Sequence, residues 1–302
     1  MSASAHAKPT SQRYLASRRH LAPPEPGFLG RGHTAVQVVD SDDLSATDPF
    51  VLLMDDRIDF EADRKLGEAH PHAGLETVTL ALEGEVIDED EGPLGAGDLV
   101  WMTAGRGVVH SEHMRATGKF TRILQLWIRL PERDRGAEPR FQVLRASEVP
   151  VHRTPGVVAR LYSGTTHGLS APVQNYVPVT LLDVELEPGA TFVQELPGDY
   201  GGFLYPVHGE VQVAGTGPAL GVGDVGWLDR PTPAGPSELL LTAGPSGARV
   251  VLYAGRRQNE PTVHRGPFVA GSTTELAGMY QRYRSGKFAR LSELSELTPT
   301  NA

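Results

Sequence analysis

The sequence contains no cysteine. This excludes disulfides, thiolate nucleophiles, thiolate zinc sites and iron–sulfur ligation together, so any bound metal must be held by histidine and carboxylate. It also fits a reducing compartment, and a cytoplasmic location is expected. Long apolar runs are missing as well. The most apolar stretches, such as Val250 to Ala254, are strand-sized, far from the roughly 18 residues that a membrane-spanning helix needs. Positive charge is in deficit, with 28 Lys and Arg against 37 Asp and Glu for a formal net charge of -9. Such a balance provides no general attraction for phosphate backbones or anionic lipid, and direct nucleic-acid or membrane binding is not expected. Ser17-Arg18-Arg19 superficially resembles a twin-arginine export pair, but Ala22-Pro23-Pro24-Glu25-Pro26 stands where the apolar segment of such a signal belongs. The pair reads instead as a solvated basic tail.

What is present is strand text. Residues 1–30, rich in Ala, Ser, Pro and Arg, lack both helical and strand periodicity and read as a flexible tail or an arm laid on the surface. From Thr34 to about Ala254 short β-branched and apolar runs alternate with Gly, Pro and Asp, the spacing of sandwiches and barrels. Two motifs recur. Leu82-Glu-Gly84-Glu-Val86 returns as Val207-His-Gly209-Glu-Val211, and Gly97-Asp98-Leu-Val-Trp101 as Gly223-Asp224-Val-Gly-Trp227. Their offsets, 209 − 84 = 125 and 223 − 97 = 126, are nearly equal, which points to a duplicated β-domain. The proline- and charge-rich stretch from Pro131 to Pro155 separates the copies, placing the domains at 31–145 and 146–302. Near the end, Leu276, Met279, Tyr280 and Tyr283 lie at helical spacing between candidate caps at Ser272 to Thr274 and Gly286, predicting one closing helix.

Four of the 11 histidines fall between His70 and Met114. His70-Pro-His72 sets two imidazoles at i and i+2, and His110-Ser-Glu112 sets an imidazole and a carboxylate at the same spacing. On a strand such residues share a face, so two neighbouring strands bring all four groups to one point, a geometry suited to a metal ion. Val78, Leu80 and Leu82 share even numbers with the histidines, which predicts that the even-numbered face is the inner one. By the same count Val108, His110, Glu112 and Met114 point inward, while His113 points outward and is no ligand. Glu76 has inward parity, but Gly74 can bend the strand, which places Glu76 behind the ligands rather than among them.

The runs His70-Pro-His-Ala-Gly-Leu-Glu-Thr-Val-Thr-Leu-Ala-Leu-Glu-Gly-Glu85 and Trp101-Met-Thr-Ala-Gly-Arg-Gly-Val-Val-His-Ser-Glu112 strongly resemble the pirin family of the cupin superfamily. Further similarity lies in Gln125-Leu-Trp-Ile-Arg-Leu-Pro131, Gly266-Pro-Phe-Val269 and Tyr280-Gln-Arg-Tyr-Arg-Ser-Gly-Lys-Phe288, so it spans most of the chain. The resemblance implies an all-β bicupin: two β-barrel (jelly-roll) domains with a short C-terminal helix. It also implies a metal in the N-terminal barrel, held by His70, His72, His110 and Glu112, the four residues that spacing had selected. Thr103 replaces the Pro of the general cupin signature, and His110 lies two positions later than its His; pirins share both departures. The second copy has Phe192, Gln194, Glu195 and Pro197, then Pro236 and Glu238, where ligands would align, and no imidazole among them. That barrel is expected to be structural or a partner surface.

Three imidazoles and a carboxylate suit Fe(II), Mn, Ni, Cu or Zn, and the family makes Fe(II) the expectation. Several pirins act as quercetin 2,3-dioxygenases, which implies an oxidoreductase taking a flavonol and dioxygen at two open coordination positions. Glu112 would exchange a proton with the flavonol hydroxyl, and Glu76, Arg106 and Gln125 would orient ligands or substrate. Other pirins bind protein partners. The alternative is therefore a non-enzymatic, iron- and redox-dependent transcriptional or metabolic co-regulator acting through protein contacts. A monomer is the expected state.

Overall fold

The computed structural model of the chain describes residues 11–40, 43–59, 65–66, 68–111, 113–116, 118, 120–231 and 235–297. Almost every regular element is a strand, and the fold is an all-β bicupin. A seven-stranded sheet carries the first half, with the long strands Phe50–Asp59, Leu75–Glu83 and Phe120–Arg129 side by side at its centre. A ten-stranded sheet carries the second half around Val179–Leu186, Tyr200–Val213 and Pro236–Arg256. The duplicated motifs occupy matching turns: Gly97 and Gly223 both adopt positive φ, 90° and 88°, and each leads into a strand bearing Trp101 or Trp227.

The largest core lies between these sheets. Val78, Leu80, Leu82, Leu124, Leu126 and Trp101 from the first half pack against Leu181, Phe203, Tyr205, Val251 and Tyr253 from the second. The even-numbered face of Leu75–Glu83 therefore looks toward the other half, which corrects the parity reading. Every residue of that strand except the last is buried, so both faces are apolar environments and alternation does not tell inside from outside. The odd face, with Leu75, joins a second core with Val51, Val100, Met102 and Ile123, inside the first half.

The segment expected to be a flexible tail or a surface arm forms short strands, Ser11–Gln12, Leu15–His20 and Glu25–Pro26. Ser11–Gln12 runs parallel to Ser237–Glu238, and Leu15–His20 pairs with Asp224–Leu228, both in the second-half sheet. Its anchor is Arg13, which has no exposed surface; Nε donates to Ser237 Oγ at 2.8 Å, Nη2 to the Pro197 carbonyl at 2.7 Å and Nη1 to the Asp229 carbonyl. Arg18 pairs with Asp224 at 2.7 Å and Arg19 with Asp40 at 2.8 Å, so the basic pair is engaged rather than merely solvated. One hidden cation bonded to backbone carbonyls leaves no periodic signature, which is why composition alone did not separate a flexible tail from an arm laid on the surface. The other end of the chain makes the reciprocal excursion. The helix Thr273–Arg284, capped by Ser272 Oγ accepting from the Glu275 N–H at 3.2 Å, is followed by Ala289–Arg290, which pairs with Val108–Val109 in the first half.

Candidate metal centre

His70 and His72 lie on the strand Ala69–His72, and His110 on the antiparallel strand Val108–Ser111, with His110 directly opposite His70 and Val108 opposite His72. Cross-strand pairing and the i, i+2 spacing together gather the three rings, whose ligand nitrogens all fall within 4.8 Å of one another. Gly74, at φ 76°, then breaks the strand before Leu75. A Cβ there would sit 1.8 Å from the Val269 carbonyl oxygen, so only glycine permits this close approach. The break frees His72 from the parity of Val78: its ring lies 5.0 Å from that of Trp127, which stands opposite Thr77 on the odd face.

The protonation pattern favours a cation. His70 Nδ1 is 3.0 Å from the Glu68 carbonyl oxygen, an acceptor, so it carries the hydrogen and leaves Nε2 as a lone pair. That Nε2 is 3.1 Å from His110 Nε2. Neighbouring ligands about 2.1 Å from one ion are separated by a similar distance. Burial lowers the pKa of His70, against the Glu68 carbonyl and the Glu91 charge. Burial also holds His72 well below the ordinary imidazole value, reinforced by repulsion from His110 and His70 and opposed by the Pro267 carbonyl. Rings kept neutral present lone pairs rather than protons, the form a metal requires. The donor set and its geometry thus fit a divalent ion.

Glu112, the expected fourth ligand, lies outside the described residues. His113 stands apart from the three rings, with Nδ1 2.6 Å from Glu89 Oε2. Glu76 is fully buried, but its partners lie on the even face toward the second half: Oε1 accepts from Thr103 Oγ1 at 2.8 Å and from the Tyr176 N–H at 3.4 Å. Burial pushes its carboxyl up, against hydrogen bonds from Thr103 and Tyr176 and the charge of Arg140. It serves the interface between the halves, because the bend at Gly74 turns it away from the histidines. Arg106 is half exposed and paired with Glu138 at 2.6 Å. Gln125 is nearer to the expectation, accepting from Thr79 Oγ1 at 2.7 Å on the face that Trp127 shares.

A cavity of about 870 Å³ opens above His70 and His72, walled by Phe28, Leu52, Met54 and Trp127, and its size and apolar walls suit a small organic molecule. Phe28, 70% exposed, stands at its rim with its ring centre 6.4 Å from that of His70, edge to face. The Phe28 loop is built on a buried histidine: the Leu29 N–H donates to His33 Nδ1 at 3.1 Å, and His33 Nε2 faces Asp56 Oδ1 at 2.7 Å. These wall residues come from one loop and two strands distant in sequence and carry no local motif. Glu91 was also missed. Only 7% of its side chain is exposed and its Oε1 lies 3.7 Å from His110 Nδ1; burial, then the charge of Asp90, pushes its carboxyl up to about 7, and positive charge on His70 opposes that rise.

Comparison with known proteins places this geometry in a family. The pirin family model matches residues 32–128, and that of the pirin C-terminal cupin domain matches residues 181–289. A pirin-like protein of Solanum lycopersicum is 36% identical over 271 residues, covering 85% of this chain and 88% of its own. Pirin of Homo sapiens is 32% identical over 264 residues, covering 81% and 84%. Among solved structures, a quercetin 2,3-dioxygenase from Acinetobacter baumannii is 26% identical and superposes with a TM-score of 0.82 over 92% of this chain and 99% of that one. With three imidazoles gathered in the first half of a bicupin and relatives aligned along most of its length, the chain belongs to the pirin family.

Proposed function

We propose that the protein is a metal-dependent dioxygenase acting on quercetin-like flavonols, with Fe(II) held by His70, His72, His110 and Glu112. The observation that carries this reading is the cluster of three imidazoles, two of which, His70 and His72, line an apolar cavity with aromatic walls. Similarity to a quercetin 2,3-dioxygenase supports it. When bound, the ion supplies a Lewis acid for the flavonol oxygen and a redox centre for dioxygen. Trp127 and Phe28 would flank the flat ring system, and Leu52 and Met54 would exclude water around it. Glu112, two residues beyond His110, would take the proton of the metal-directed hydroxyl. His70 and His72, whose pKa values burial lowers, would compete poorly for that proton.

The test is oxygen uptake with quercetin by purified protein of measured metal content. Wild type is expected to consume oxygen in proportion to bound iron. His110→Ala, which removes one of the two facing Nε2 atoms, is expected to lose both the metal and the uptake. A fully iron-loaded wild type that consumes no oxygen with any flavonol would sink the enzyme reading.

A further inference from the structure

The hairpin joining Glu85–Asp88 to Gly92–Gly95 carries four consecutive acids, Asp88-Glu89-Asp90-Glu91. Such a run is ordinarily a solvated face, because like charges repel and ions lose hydration on burial. Here it is wrapped around the His110 strand. Asp88 Oδ1 accepts from the N–H groups of Asp90 and Glu91, both at 2.9 Å, which closes the turn. Asp90 Oδ2 accepts from the Ser111 N–H at 2.7 Å, fixing the hairpin to the backbone next to His110. Glu89 Oε2 lies 2.6 Å from His113 Nδ1. Glu91, next in line, turns its buried carboxylate to His110 Nδ1. Residues 89, 90 and 91 thus meet 113, 111 and 110 in antiparallel order.

Glu91 sits on the Nδ1 side of His110, whereas the three imidazoles converge through the other nitrogen, 3.1 Å from His70 Nε2. Among the described residues it is not one of the groups that gather on the metal position. We propose that Glu91 is a positioning residue for this centre: the charge of its carboxylate, 3.7 Å away, favours the hydrogen of His110 on Nδ1, so that Nε2 carries the lone pair aimed at the ion. The role rests on the metal centre proposed above. A carboxylate behind a metal-bound imidazole fixes its tautomer and orientation and raises its basicity. At 3.7 Å the two groups face one another without a hydrogen bond. A cation on Nε2 polarises the Nδ1–H and draws the carboxylate closer.

The test compares full-length wild type, Glu91→Gln and Glu89→Gln. The last removes the same charge from the same hairpin but faces His113. Zn(II) affinity is measured by competition with a chromophoric chelator, the Co(II) visible spectrum is recorded, and the His110 tautomer is read by nitrogen NMR in metal-free protein. Glu91→Gln is expected to weaken Zn(II) binding by about 10- to 100-fold, to shift the Co(II) bands, and to reduce the Nδ1–H population. Glu89→Gln should stay within about twofold of wild type, since it acts outside the ligand ring. Equal affinities in all three proteins would overturn the proposal. So would a wild-type His110 found as the Nε2–H tautomer, a reading that needs no variant to fold. A wild type that binds neither ion would overturn the metal centre itself, a failure distinct from loss of Glu91's role alone.

Discussion

At the scale of single residues, the three imidazoles were legible because strand geometry puts His70 and His72, at i and i+2, on one face, with His110 directly opposite His70 on the neighbouring strand. The surroundings were not legible. Phe28, Leu52, Met54 and Trp127 meet only through tertiary structure, and each alone is an ordinary apolar residue. Trp127 separates the two kinds of contribution. Its ring touches His72 at its edge and walls the cavity, yet it offers no atom to an ion. Trp127→Leu is expected to leave bound iron unchanged while weakening quercetin binding about fivefold, the equivalent of ~1 kcal/mol of aromatic contact. Titration of loaded protein with quercetin, followed by fluorescence or absorbance, measures this. Equal affinity in variant and wild type would place the flavonol elsewhere.

At the scale of elements, the informative failure was parity. Counting by twos across Gly74 put Val78 and His72 on one face, and the structure puts them on opposite sides of the first-half sheet. The count fails because a positive-φ glycine interrupts the pleat and because the following strand is buried on both faces. The closing helix, by contrast, was legible from its cap, its apolar spacing and Gly286, all of which act locally. Gly74 itself is testable. Gly74→Ala meets the Val269 carbonyl at 1.8 Å and a left-handed backbone, so it must move the strand that carries His72. The expected cost is about 2 kcal/mol or more by urea unfolding, accompanied by a fall in Zn(II) affinity. If stability falls while affinity does not, the bend is not what sets His72.

At the scale of the molecule, the two halves are tied by a buried polar knot as well as an apolar core. Asp55 has no exposed surface; it accepts from Arg122 Nε at 2.8 Å and Nη2 at 2.9 Å, and from the Tyr205 hydroxyl of the second half at 2.7 Å. Burial pushes its carboxyl up, but the hydrogen bonds and charge of Arg122, with help from Tyr205 and Arg57, hold it below the usual carboxylate value. A depressed value means that the unfolded chain binds the proton more readily. The knot therefore contributes its full stability above the ordinary carboxylate range, and the contribution is lost as pH falls through the lower, folded value. Asp55→Asn should cost about 3–5 kcal/mol at neutral pH by stranding Arg122, and its stability should change less than that of wild type as the solution is acidified. Parallel pH profiles of unfolding free energy would contradict this. The reciprocal reach of the chain ends has a consequence in time. The strand that carries His110 is flanked by His70's strand on one side and by Ala289–Arg290 on the other, a partner about 180 positions downstream. During synthesis that edge stays uncovered until Ala289–Arg290 have left the ribosome. Assembly of the centre is thereby linked to the arrival of this late strand, and a molecule clipped shortly after its helix would lose an edge of the centre while keeping most of both sheets.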